Sequence, residues 1–231
     1  MYSENDPSDT HQAHSNKPLL ASLLVSINRN NLRLGLCAIL TGCIIALTQI
    51  QTKQRIIDNQ IAAQTQLLQE VMPSELYDQS LLNQPFALPY PNQLGRTDGQ
   101  VYFARRQGIV EGIILPLITQ QGYNGSISLL VGIRRDGVIQ GVRISEHQET
   151  PGLGDQIERR KSDWIEGFNG RSLDDLPPTR WQVSKDGGDF DQFTGATITP
   201  RAVIQAVKNS LVYHQRYYER LYQAGLQEIN P

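Results

Sequence analysis

The rhythm of apolar positions changes several times along this chain. Residues 1–20 are polar, rich in Ser, Asn, Asp, His and Gln, and read as a disordered tail. An uncharged run of 19 residues follows, from Leu34 to Thr52. At about 1.5 Å per helical residue it nearly matches a hydrocarbon core of about 30 Å. The long polar leader and the lack of an Ala-x-Ala site argue for an uncleaved membrane span over a signal peptide. A buried helix of a soluble protein is the plainer alternative. From residue 53 to about 82, Ile56, Ile57, Ile61, Leu67, Leu68 and Val71 recur at helical spacing among Gln and Asn, until Met72-Pro73 interrupts them. This predicts a helical stalk, or equally a helix that binds a partner.

The period then shortens to two. Leu88–Gly95 is a loop. Strands are predicted at Val101–Ala104 and Ile109–Thr119 around a Gln107-Gly108 turn. Ile127, Leu129, Val131 and Ile133 alternate with polar positions, as in a half-buried strand. Asp136-Gly137 is a hairpin turn, and Val142 and Ile144 mark the returning strand to about Ser145. A helix is predicted over 155–168, a short strand over Trp181–Ser184, and a turn at Lys185–Gly188. Thr199 is a natural N-cap and Pro200 a natural first helical residue. Val203, Val207, Leu211, Tyr218 and Leu221 line one face of a helix to about Ala224, with Gly225 as its stop.

The pattern predicts an α+β protein. A single N-terminal transmembrane helix and a helical stalk precede one domain with an antiparallel β-meander and packed helices. The expected boundaries are a polar tail at 1–33, the span at 34–52, stalk and linker at 53–98, the domain at 99–225 and a short tail at 226–231.

Composition narrows the function. The net charge of −2 gives no basic field for nucleic acid. A hydrophobic share of 39% supports one core but not a polytopic membrane protein. Cys37 and Cys43 both lie in the apolar run, so the following domain has neither a disulfide framework nor a cysteine metal site. Its histidines, His147 and His214, have no ligand spacing. Lys17, Arg29 and Arg33 before the span, against Lys53 and Arg55 after it, tilt the orientation towards a cytoplasmic N-terminus.

Two stretches carry the chemistry. In Asp191-Gln-Phe-Thr-Gly-Ala-Thr-Ile-Thr-Pro200, the Thr197 hydroxyl follows two small residues and precedes a helix start. Unpaired N–H groups and the positive end of the helix dipole suit a phosphate there. The same residues also suit a capped helix with nothing bound. Upstream, His147-Gln-Glu-Thr-Pro-Gly-Leu-Gly154 forms a tight turn whose N–H groups can approach a ligand. A plain strand-to-helix connection would look similar, and the spacing is not that of a dinucleotide loop.

Together, in this order and with Lys161–Ile165 and Lys185–Gly188, these stretches resemble the flavin-binding domain of the G subunit of the Rnf (Rsx) electron-transport complex. The resemblance runs from about Tyr102 to Leu211, and the N-terminal apolar segment fits it. It implies FMN joined covalently to Thr197 through a phosphodiester, one per chain, with Thr194, Gly195 and Ala196 completing the attachment motif. It places Glu149, Thr150, Gly152 and Leu153 beside the flavin, gives Trp164 a share in walling the site, and makes Asp191 the acidic residue that a flavin transferase recognises. It further implies a single-pass protein of the bacterial inner membrane with a periplasmic domain, carrying electrons among other membrane subunits of an ion-translocating complex and not catalytic alone. Two other functions fit the residues: the FMN subunit of a Na⁺-translocating quinone reductase, and an anchored assembly module without a cofactor.

Overall fold

A computed structural model describes residues 17–78, 80–82 and 85–227. The polar leader 1–16 and the last residues, 228–231, lie outside the described residues. The chain divides into two compact units, residues 1–59 and 60–231.

The first unit contains most of helix α1 (Lys17–Val71). From Asn31 onward the helix holds an 18-residue window of mean hydropathy 1.8, none of it buried, long and apolar enough to cross a membrane. Leu34, Leu36, Ile39, Leu40, Ile44, Ile45, Leu47 and Ile50 are all exposed around its circumference. A helical segment apolar on all sides must be covered, and an uncharged stretch of this length can cross a hydrocarbon core.

The second unit is built on a five-stranded antiparallel sheet in chain order: β1 (Phe86–Ala87), β2 (Gln100–Arg106), β3 (Ile109–Thr119), β4 (Ile127–Arg134) and β5 (Ile139–Glu146). The meander follows the predicted strands, with the two-residue β1 added at the edge. Gln107 and Gly108 close the β2–β3 hairpin with φ of 51° and 79°, a pair of left-handed residues that suits the strand twist. In β4, Ile127, Leu129, Val131 and Ile133 join one core, where they meet Val203, Val207 and Leu211 of helix α2 (Ile198–Gln227). The opposite face is not left to water. Tyr102, Ala104 and Ile114 form a second core with Leu68, Val71 and Met72 from the end of α1 and the turn after it, and with Leu81.

Small residues let the end of α1 approach the sheet. A Cβ on Gly132 would stand 2.4 Å from the Val71 carbonyl oxygen, and one on Gly141 would stand 2.9 Å from the same atom. Gln64 adds a hydrogen bond from Nε2 to the Tyr102 hydroxyl (2.6 Å). Arg143 on β5 pairs with Glu70 (3.1 Å) and with Glu166 (2.9 Å).

Three expectations are corrected. The predicted helix over 155–168 is two 3₁₀ turns, Gly154–Ile157 and Trp164–Phe168. Ser162 is the reason: its hydroxyl donates to the Gln156 carbonyl (2.8 Å) and accepts the Trp164 N–H (3.2 Å), diverting both groups from a helical ladder. The predicted strand at Trp181–Ser184 is a single parallel bridge, Val183 with Phe190. Gly188 returns so tightly that a Cβ there would lie 1.8 Å from the Gln182 carbonyl oxygen, which leaves no length for a ladder. Gly225 does not end α2, which continues to Gln227. Its missing side chain instead lets the helix rest on Val110 and Phe103, at 2.8 and 3.1 Å from where a Cβ would stand.

Candidate functional site

Three segments far apart in sequence converge at the start of α2. They are the β3–β4 loop at Tyr123, the stretch Glu149–Gly154 after β5, and Gly195–Thr199. Together they line a cleft of about 360 Å³.

Phe193–Ala196 is a tight turn, closed by a hydrogen bond from the Ala196 N–H to the Phe193 carbonyl (3.2 Å). Gly195 occupies its third position with φ of 82°, a conformation that favours glycine. The turn delivers Thr197 to the residue before α2, half-buried and on the cleft. Among the described residues its hydroxyl has no hydrogen-bond partner. Thr199, predicted as the N-cap, lies inside the helix and is fully buried. Its hydroxyl donates to Glu149 Oε2 (2.5 Å), so it is turned away from capping.

Glu149 is buried, and its second oxygen accepts the Asn124 N–H (3.1 Å). The Asn124 side-chain amide donates to the Thr150 hydroxyl (3.0 Å). The Thr150 carbonyl then accepts the N–H groups of Leu153 and Gly154, both at 3.1 Å, which closes the Pro151-Gly152 turn. Gly152 donates its N–H to Asp155 Oδ1 (2.8 Å). His147 holds the turn's entrance: its Nδ1 accepts the Glu149 N–H (3.0 Å), so Nε2 carries the proton offered to Glu158 (2.9 Å). Arg160 first, and then His147, holds the Glu158 carboxyl below the usual carboxylate range.

Of the sequence-derived site residues, Thr197, Gly195, Ala196, Glu149, Thr150 and Leu153 lie together on the cleft, whereas Thr194 and Gly152 do not line it. Thr194 and Gly152 are both exposed. Trp164 does not line the cleft either. It supports the Phe193–Ala196 turn, with Nε1 donating to the Asp191 carbonyl (2.8 Å) and its ring edge-on to Phe193 at 4.9 Å. Asp186 in the Lys185–Gly188 turn takes a bidentate grip from Arg201 in the first turn of α2 (2.7 and 3.0 Å), which holds its carboxyl low.

Sequence reasoning did not select Tyr123, Gly154, Ile198 or Thr199 for the site. Tyr123 (66% exposed), Ile198 (45%) and Leu153 (41%) form an apolar rim around Thr197. Exposed large apolar residues gathered at one cleft mark a binding surface. A larger cleft of about 640 Å³ lies against His214, Tyr217 and Tyr218 and contains none of the motif residues.

By sequence, the chain is similar to proteins that carry an FMN-binding domain. The sequence model of that domain matches residues 122–212, and that of the RnfG N-terminal region matches residues 22–71. Among curated relatives, the G subunit of the ion-translocating oxidoreductase complex of Cronobacter sakazakii is 42% identical over 84% of this chain and 92% of its own length. The protein of the same name from Pseudomonas aeruginosa is 44% identical over 85% of this chain and 92% of its own length. The chain belongs to this family, the G subunits of ion-translocating oxidoreductase complexes. Among solved structures, the C subunit of the Na⁺-translocating NADH-quinone reductase from Parabacteroides distasonis aligns over 68% of this chain and 90% of its own, at 20% identity and a TM-score of 0.46.

Proposed function

We propose that this chain is the membrane-anchored, electron-carrying subunit of an ion-translocating oxidoreductase complex, with one FMN joined to Thr197 by a phosphodiester. The observation that carries this reading is the unpartnered Thr197 hydroxyl, delivered by a glycine turn to a helix start and facing a cleft with an apolar rim. The residues fit the group they would hold. A phosphodiester at Thr197 keeps one negative charge, and it would meet the free N–H groups and positive dipole end of α2. The polar edge of the cleft at Thr150 suits a polyhydroxyl chain. Tyr123, Leu153 and Ile198 offer apolar surface to a large ring. About 360 Å³ is near the lower end of ligand clefts, so part of a flavin would extend over this rim.

Bound FMN supplies the redox chemistry, taking up one or two electrons. The chain supplies position, a fixed electrostatic setting and tethering to the membrane. Gly195 and Ala196 leave the acceptor hydroxyl accessible to a flavin transferase, and Asp191 is exposed in front of them. One membrane helix cannot form an ion path, so other membrane subunits of the complex supply it. The excess of Lys and Arg before the span favours a cytoplasmic N-terminus and a periplasmic domain.

The test uses the full chain produced with an active flavin transferase. A denaturing gel should show a flavin-fluorescent band, and the intact mass should include one FMN. Thr197→Ala should remove both signals. Fluorescence that survives the substitution would place the bond elsewhere, and unmodified wild-type mass would refute the covalent site.

A further inference from the structure

Glu149 brings a carboxylate into the flavin cleft at only 4% exposure. Oε1 accepts the Asn124 N–H (3.1 Å) and Oε2 accepts the Thr199 hydroxyl (2.5 Å). Both oxygens act as hydrogen-bond acceptors, one for a backbone N–H and one for a hydroxyl. Two glycines make room for it. A Cβ on Gly122 would stand 2.8 Å from Oε1, and one on Gly154 would stand 2.8 Å from Oε2. Among the described residues no Lys, Arg or His forms an ion pair with it. A buried carboxylate without a cation is costly, and the two hydrogen bonds and the start of α2 offset that cost. The two hydrogen bonds fix where this carboxylate stands in the cleft.

We infer that Glu149 is a positioning residue for the flavin: it clamps the three cleft segments together, and its fixed negative charge lowers the reduction potential of the FMN held beside it. The inference rests on the flavin reading above. Its physics is Coulombic. Reduction adds electron density to the ring, and a fixed anion lining the same partly dry cleft opposes that more strongly than it would in water. The hydrogen bonds to Asn124 and Thr199 keep the charge in place, because they tie the β3–β4 loop and α2 to the same carboxylate.

The experiment measures the midpoint potential of the full chain in detergent by spectroelectrochemical titration, with intact mass reporting flavin loading. Glu149→Gln keeps the shape and removes the charge, and its potential should shift upward. Glu149→Asp keeps the charge and should stay near wild type. Thr199→Val breaks the same hydrogen bond but leaves the anion, so its potential should remain at or below wild type. A purely structural role predicts that Glu149→Gln and Thr199→Val behave alike. A loaded Glu149→Gln chain at the wild-type potential, or equal upward shifts in both variants, would overturn the inference and leave the covalent flavin intact. If Glu149→Gln takes up no flavin, Thr199→Val decides: a potential above wild type overturns the inference, and one at or below it supports it. Wild-type protein without bound FMN would overturn the flavin reading and this inference with it.

Discussion

His214 on α2 should make the stability of the domain depend on pH in the mildly acidic range. The ring is 4% exposed, with Nε2 3.2 Å from the Tyr222 hydroxyl and the rings of Tyr218 and Tyr222 edge-on at 5.7 and 5.8 Å. Burial lowers its pKa from the ordinary 6.5 to about 4, and the nearby Asp136 opposes that only weakly. Between those two values the unfolded chain binds the proton and the folded chain does not. Stability is therefore complete above about pH 6.5 and declines as the pH falls towards 4. At about 1.4 kcal/mol per pKa unit, the loss is on the order of 1 kcal/mol between about pH 7.5 and about pH 5.5, and roughly 3 kcal/mol once both forms are protonated. For a domain of this size, 1 kcal/mol corresponds to a drop in Tm of about 2–4 °C. The assay is thermal unfolding of wild type and His214→Gln across that window. The glutamine can still bond Tyr222 but does not titrate, so the difference between the two curves isolates His214. Wild type should lose stability relative to the variant as the pH falls. Two parallel curves would refute the argument that this imidazole is buried in the neutral form.

Two further outcomes concern glycines at close contacts. Gly225→Ala in an exposed helix would gain up to about 1 kcal/mol from propensity, but here the added methyl would lie 2.8 Å from Val110, so a lowered Tm is expected, and an unchanged or raised one would show that α2 does not press on β3 there. Gly132→Ala would place a methyl 2.4 Å from the Val71 carbonyl oxygen, and the variant should lose about 1–3 kcal/mol as the last turn of α1 is forced off the sheet. Denaturant unfolding reads that loss, and a wild-type midpoint would count against the packing of α1 on this face.

Two rim residues of the cleft show where sequence pattern loses its hold: Tyr123, outside both motifs, and Ile198, inside the Asp191–Pro200 stretch but with no role assigned by it. Taken alone each is an ordinary exposed apolar residue, and nothing in the local sequence distinguishes Tyr123 from a loop tyrosine. They acquire a role only because the β3–β4 loop and the start of α2 meet the Glu149–Gly154 turn in space. Thr199 shows a different failure. Local chemistry makes it a good N-cap, but the short bond to a carboxylate 50 residues upstream in the sequence outweighs that preference. A tertiary partner that is buried and charged is stronger than an exposed cap.

The sequence by itself determined the apolar run that can cross a membrane, the β-meander with its hairpin turns, the face of α2 and the two motifs that share the cleft. Each is a local signal: a hydrophobic length, a period of two or of 3.6, or a turn residue whose backbone geometry few others adopt. Tertiary structure alone decided that the end of α1 covers the second face of the sheet, that residues 155–168 break at Ser162, that Gly225 marks a contact and not a helix end, and that Glu149 joins three segments under Thr197. These depend on which groups become buried together. Burial changes the worth of a hydroxyl, a carboxylate or a missing methyl by more than local preference does.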